Sequence, residues 1–162
     1  MTTSREFWGT ISIAKSEMAA VKKTQMGVYT IYRDNSNKSA VNAVVSGLVI
    51  GTALKYLQAS TATAAGLGVT LYNLTSAMET DRRKYHADTV YYGHTILEEL
   101  EDALNRNSSY TRIEAYCRLR QYTASDGSKI TVVIGNSQKK GENGTAYRIE
   151  RIQLSNGSWI TY

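Results

Sequence analysis

Few residues in this chain could do chemistry. Two histidines, His86 and His94, and one cysteine, Cys117, occur among 162 residues. On a helix His86, His94 and Glu98 lie on roughly one side, the arrangement a His-His-Glu metal cluster needs. Metal sites require several convergent ligands, and no further strong ligand stands at a diagnostic spacing. The three are therefore weak metal candidates, read as surface or interfacial side chains. A nucleophilic Cys117 would need a neighbouring histidine and an electropositive niche; its place in an alternating strand predicts a buried, inert thiol instead. The chain has no G-x-S-x-G elbow, phosphate loop, dinucleotide fingerprint or H-E-x-x-H. The lone pair Gly66 and Gly68 says nothing about phosphate. A protein that is not an enzyme and needs no cofactor is the expectation.

The second set of candidates is a strand face. Over 110–122, Ile113, Ala115, Cys117 and Leu119 point one way, while Tyr110, Arg112, Glu114, Tyr116, Arg118, Arg120 and Tyr122 point the other. Arg112, Tyr116, Arg118, Arg120 and Tyr122 form a basic, aromatic stripe suited to an anionic surface, a protein or glycan partner, or a stacked single strand of nucleic acid. No nucleic-acid-binding motif accompanies it, which ranks nucleic acid below the others. The bland reading is a solvent face built from good strand residues that pair across the sheet. Asp126-Gly127 and Asn156-Gly157 are hairpin signals. They frame return strands at 129–134, 145–154 and 159–162, and so predict a four-stranded antiparallel meander. In 145–154 the apolar parity slips between Ile149 and Ile152, which predicts a bulge near Glu150 and Arg151. Residues 135–144 read as a lysine-bearing loop.

The elements that must position these residues centre on 39–78, where Lys55 is the only charged side chain. The spacing predicts one helix over 39–59 and a second from Thr61 or Thr63. Ala43, Gly47 and Gly51 recur every four residues, as do Ala62 with Gly66 and Ala64 with Gly68. Such small-residue ridges let helices approach closely. An antiparallel hairpin follows, its first helix apolar all round and so buried in protein or in lipid. Lys55 stands near a helix end, where it could snorkel. The second helix continues a stripe of Leu67, Leu71, Leu74 and Met78, extended by Tyr85 and Tyr92. It leads into an amphipathic helix to about 105, with Ile96, Leu97, Leu100 and Leu104 on its apolar side and Glu98, Glu99, Glu101 and Asp102 on the other. The arrangement resembles the glycine-zipper hairpins of membrane-permeabilising bacterial toxins.

Residues 1–38 read as a strand at 7–14, a short helix or link near 16–23, and a second strand at 28–33, followed by a polar loop over 34–38. Met1 to Lys15 holds no continuous apolar run of signal-peptide type, and a mature exported chain would look the same. With 42% hydrophobic residues and no proline, the composition suits one domain with a core whose turns rest on Gly, Asn, Asp and Ser. A single cysteine excludes an internal disulfide framework. The net charge of +5 is concentrated toward the two ends, while 79–106 is acidic.

The expected fold class is α+β: N-terminal strands over 1–38, a helical hairpin with an amphipathic helix over 39–106, and an antiparallel sheet over 107–162. The leading functional expectation is a secreted or cell-surface bacterial protein, toxin or bacteriocin in type, whose hairpin inserts or oligomerises at an anionic membrane or cell surface. A homo-oligomeric assembly protein, of a phage particle or secretion apparatus, is the first alternative. A nucleic-acid-binding module is the second.

Overall fold

A computed structural model describes residues 2–34, 37–136 and 147–162. Among them are five helices and a five-stranded antiparallel sheet, so the chain is α+β. Strand β1 (Thr3–Ala14) is followed by a 3-10 turn (Lys15–Glu17) and helix α1 (Met18–Asp34). Helices α2 (Lys38–Ser46), α3 (Ile50–Tyr56), α4 (Ala64–Ser76) and α5 (Thr80–Asn105) come next, then strands β2 (Tyr110–Thr123), β3 (Lys129–Val133), β4 (Tyr147–Leu154) and β5 (Trp159–Thr161).

Strand β2 is the axis of the sheet. Strand β1 runs along its whole length in unbroken register, from Thr3 opposite Thr123 to Ala14 opposite Arg112. The other edge of β2 is shared: β3 pairs with Leu119 to Thr123, and β4 pairs with Tyr110 to Cys117. This corrects the meander, since β3 and β4 both pair with β2 and stand end to end along it. Both predicted turns are present, with Gly127 and Gly157 each at φ 88, where a side chain is disfavoured. The bulge is present as well: Glu114 faces Arg151 and Ala115 faces Ile149, leaving Glu150 as the extra residue.

Three further expectations are corrected. Residues 28–33 are helical, as the second half of α1, because Met18, Val21, Val28, Ile31 and Tyr32 share one buried helical stripe. The single helix over 39–59 is two helices. Helix α2 ends at Gly47, α3 restarts after Val49, and the two are bent by 105°. Taken together they have the length and composition of a membrane span; among the described residues no single helix does. The break before α5 falls at 77–79, and Tyr85 is exposed, so it does not extend the apolar stripe of α4. Most of the 135–144 loop, and Asn35 and Ser36 of the loop after α1, lie outside the described residues.

The core has two parts, on opposite faces of the sheet at the β3 end. Ile113, Ala115, Cys117 and Leu119 of β2 and Val133 of β3 pack with Met18 and Val21 of α1 and with Ile96, Leu97, Leu100 and Leu104 of α5. Tyr122, Ile130 and Val132 have the opposite strand parity. They pack with Val28, Ile31 and Tyr32 of α1, Ala87 and Val90 of α5, and the apolar side chains of α2 and α4. Helices α1 and α5 thus pass from one face to the other beside the end of β3. At the crossing, Gln25 Nε2 donates to the carbonyls of Val90 and Val133, both at 2.8 Å, and Gln25 Oε1 accepts from the Tyr56 hydroxyl at 2.7 Å. A buried amide satisfied at three points fixes the helix pair to the strand end.

Candidate functional site

The hairpin reading placed Ala43, Gly47, Gly51, Lys55, Ala62, Gly66 and Gly68 on packed ridges. The structure turns most of them outward. Ala43, Gly47, Gly51 and Ala62 are exposed, while the larger Val41, Val45, Leu67, Leu71 and Leu74 are buried. Gly68 alone makes a close approach between helices, and it meets the Asn42 side chain, where a Cβ would collide. Gly66 lies in the first turn of α4, its N–H donating to Thr63 Oγ1 at 3.0 Å as the N-cap bond. Lys55 is exposed and stands 3.9 Å from Glu17.

What α2 and α4 present to solvent is a shoulder that carries no charge over 39–46 and 63–77, with Lys38 at its edge, 5.4 Å over the Tyr72 ring. Ala43, Ser46 and Gly47 of α2 and its C-cap are exposed, as are Thr63 and Ala65 at the start of α4. Val69 is 53% exposed on α4, and Val49, at the bend, is 56% exposed. A soluble surface is normally covered by lysine and glutamate; this one carries methyl groups, hydroxyls and bare backbone.

The strand face divides in two. Arg112, Tyr116 and Arg118 lie on an open face with Trp8, which is 43% exposed and stacks on Tyr116 with centroids 5.5 Å apart. Arg148 caps Tyr116 at 5.3 Å, and Arg151 lies over Trp159 at 4.0 Å. Each arginine there has a carboxylate: Arg118 with Glu6 at 3.1 Å, Arg151 with Glu114 at 2.8 Å, Arg112 with Glu17 at 3.6 Å and Arg148 with Glu150 at 3.9 Å. The pairing cancels most of the field that would draw a polyanion.

Arg120 and Tyr122 correct the sequence reading, for both are buried. Helix α5 covers this end of the face, which strand alternation cannot foretell. The Arg120 guanidinium is held by Glu6, and its Nη1 donates to Thr89 Oγ1 at 2.7 Å and to the Tyr122 hydroxyl at 3.1 Å. His86 Nδ1 lies 3.0 Å from Arg120 Nη1 and 2.8 Å from the Tyr122 hydroxyl, so it is the acceptor and the ring proton sits on Nε2. Burial, reinforced by the Arg120 charge, pushes the His86 pKa down to about 4. Burial works against the Glu6 carboxylate, but the bond and charge from Arg120 outweigh it and hold Glu6 below its ordinary value. The cluster binds β1, β2 and α5 together.

The metal candidates are not brought together. His86 belongs to the Arg120 cluster, while His94 faces Glu98 at 3.3 Å. Among the described residues no group of three or more His, Cys, Asp or Glu side chains could hold a metal ion. Cys117 is fully buried, and burial raises its thiol to about 12, which leaves it protonated and inert.

A cleft of about 130 Å³ opens beside β1, lined by Ile11, Ile13, Glu17, Thr52, Lys55 and Gln58 among others. Gln58 is the one non-glycine residue with positive φ, at 48, among the described residues. It turns the chain out of α3 so that 57–60 lies along β3. Comparison of the chain with protein families, with curated proteins and with solved structures finds no match.

Proposed function

We propose that this is a non-enzymatic, self-assembling structural protein in which the uncharged α2–α4 shoulder packs against a neighbouring subunit. The observation that carries the reading is the outward placement of Ala43, Gly47 and Ala65 beside the exposed Val49 and Val69, with Val41, Val45, Leu67, Leu71 and Leu74 turned inward. Burying alanine or glycine loses no side-chain entropy, whereas ordering a lysine or glutamate costs up to about 2 kcal/mol. Small residues also let two helices approach closely. The shoulder is thus ready to be covered without any rearrangement of the subunit.

The test is sedimentation velocity on the wild type and on Ala43→Glu with Ala65→Glu. The wild type is expected to form oligomers larger than a dimer, and the double variant to lose these while keeping its circular dichroism. Unchanged assembly by the variant removes the shoulder from the reading.

A membrane-active, secreted role is the second reading, supported by the span-like composition of α2 and α3 taken together. It requires the bend to open and Val41, Val45 and Ala53 to leave the core, each side chain losing burial worth about 1–3 kcal/mol. Dye release from anionic vesicles by a protein that stays monomeric in buffer would favour it over assembly.

A further inference from the structure

The two long edges of the sheet are treated differently. On β3, the Thr131 N–H donates to the Leu57 carbonyl at 2.6 Å, the Ser60 N–H donates to the Lys129 carbonyl at 3.1 Å, and the Lys129 N–H donates to Ser60 Oγ at 2.8 Å. With Gln25 on the Val133 carbonyl, that edge is covered by the 57–60 segment and by α1. Strand β5, the outer strand beyond β4, is three residues long. Strand β1 is twelve residues long and, among the described residues, its backbone bonds only to β2. Between Phe7 and Ala14 it has none of the usual protections of an edge: no proline, no lysine, no bulge and no charge.

We infer that β1 is the site at which a second copy of this chain adds, β1 to β1 in antiparallel register about a two-fold axis at Trp8, which joins the two sheets into one. A symmetric antiparallel pair that keeps matching faces together must be centred on a residue. Centring on Trp8 sets Trp8 against Trp8, Phe7 against Gly9, Glu6 against Thr10 and Arg5 against Ile11. The two charged residues of β1 then face uncharged ones. The half-exposed indole, already stacked on Tyr116 of its own copy, gains a second aromatic neighbour.

The flanking cleft, which carries Glu17 and Lys55, opens beside Thr10 to Ile13, where the second copy's Arg5 arrives in this register. A two-fold β1 to β1 pair uses the β1 edge of both copies, so this contact closes at two. A second copy is favoured over a foreign strand because the strand is complementary to itself in this register. The inference deepens the assembly reading but uses a separate surface, so either can fail alone.

The test uses the full chain. Sedimentation velocity of the Ala43→Glu, Ala65→Glu chain from about 1 to about 200 μM is expected to show a monomer–dimer equilibrium, with Trp8→Lys added to it monomeric at least tenfold higher in concentration and unchanged in circular dichroism. Trp8→Cys, oxidised in dilute solution, is expected to give a covalent dimer, while Thr10→Cys, displaced from its own copy in this register, gives none; Cys117 is buried and does not interfere. A chain monomeric throughout overturns the inference. So does a dimer that survives Trp8→Lys and disappears in the Ala43→Glu, Ala65→Glu variant, which would place self-association on the shoulder. Cross-linking by Thr10→Cys in place of Trp8→Cys overturns the register.

Discussion

Gly93 of α5 lies against the carbonyl oxygen of Val133 so closely that a Cβ at this position would overlap it. The contact falls where α5 leaves one face of the sheet for the other, with Val90 in one core and Ile96 in the next. A glycine inside a helix is normally a weakness. Here it sets the distance between the helix and the strand end.

Gly93→Ala is therefore expected to lose about 3 kcal/mol, because the methyl group meets backbone and not a flexible side chain. Urea denaturation checks this: the midpoint should fall with the slope unchanged. A loss no larger than that of an ordinary exposed helix substitution would show that α5 can shift off the strand.

Gln25→Leu keeps the volume and removes the three hydrogen bonds at the crossing. The Val133 carbonyl then loses its side-chain donor and the Tyr56 O–H its acceptor, at a combined cost of about 3 kcal/mol. Amide exchange of β3 should rise with it, since that strand loses its anchor to the helices.

Two arginines share the Glu6 carboxylate and should behave differently. Arg118 is half exposed, and Arg118→Ala is expected to change stability by less than about 1 kcal/mol. Arg120 is buried among Thr89, Tyr122 and His86, so Arg120→Ala leaves a cavity and unmatched polar atoms, for a loss of about 3 kcal/mol. Equal effects would mean that the buried cluster is no more important than the surface pair.

His86 gives the fold a pH dependence of definite sign. Its folded pKa is about 4 against an ordinary value of 6.5, so between those values the unfolded chain binds more protons than the folded one. The contribution is fully present above pH 6.5 and is lost as pH falls toward 4. Glu6, depressed from 4.5, adds a further loss below its ordinary value. Thermal unfolding across this range should show a declining Tm, and His86→Gln should flatten the decline between about pH 6.5 and 4.5.

The local features were legible in the sequence, and those that depend on distant contacts were not. Asp126-Gly127, Asn156-Gly157 and the parity slip at Glu150 each announce their own geometry within a few residues. Residues 28–33 alternate like a strand, yet Val28, Ile31 and Tyr32 also fit a helix, and only the longer pattern back to Met18 decides between them. Strand alternation correctly separates Arg120 from Leu119, but the burial of Arg120 comes from α5, whose path no local pattern reveals. The four-residue spacing of the small residues in α2 shows which side chains share a face and not which way that face turns. Gly93, alone in a helical pattern, was the available signal for a close approach; Gln25 offered none.

The crossing at Val133 also orders events during synthesis. Helices α1 and α5 leave the ribosome well before β3, so the Gln25 amide waits in water until its strand carbonyl has been translated. Up to that point the nascent helices can dock only loosely, and a chaperone would meet an open pair of apolar stripes in place of a finished core. Closure arrives late and involves both faces at once, which makes this a protein whose cooperativity is decided by its last third.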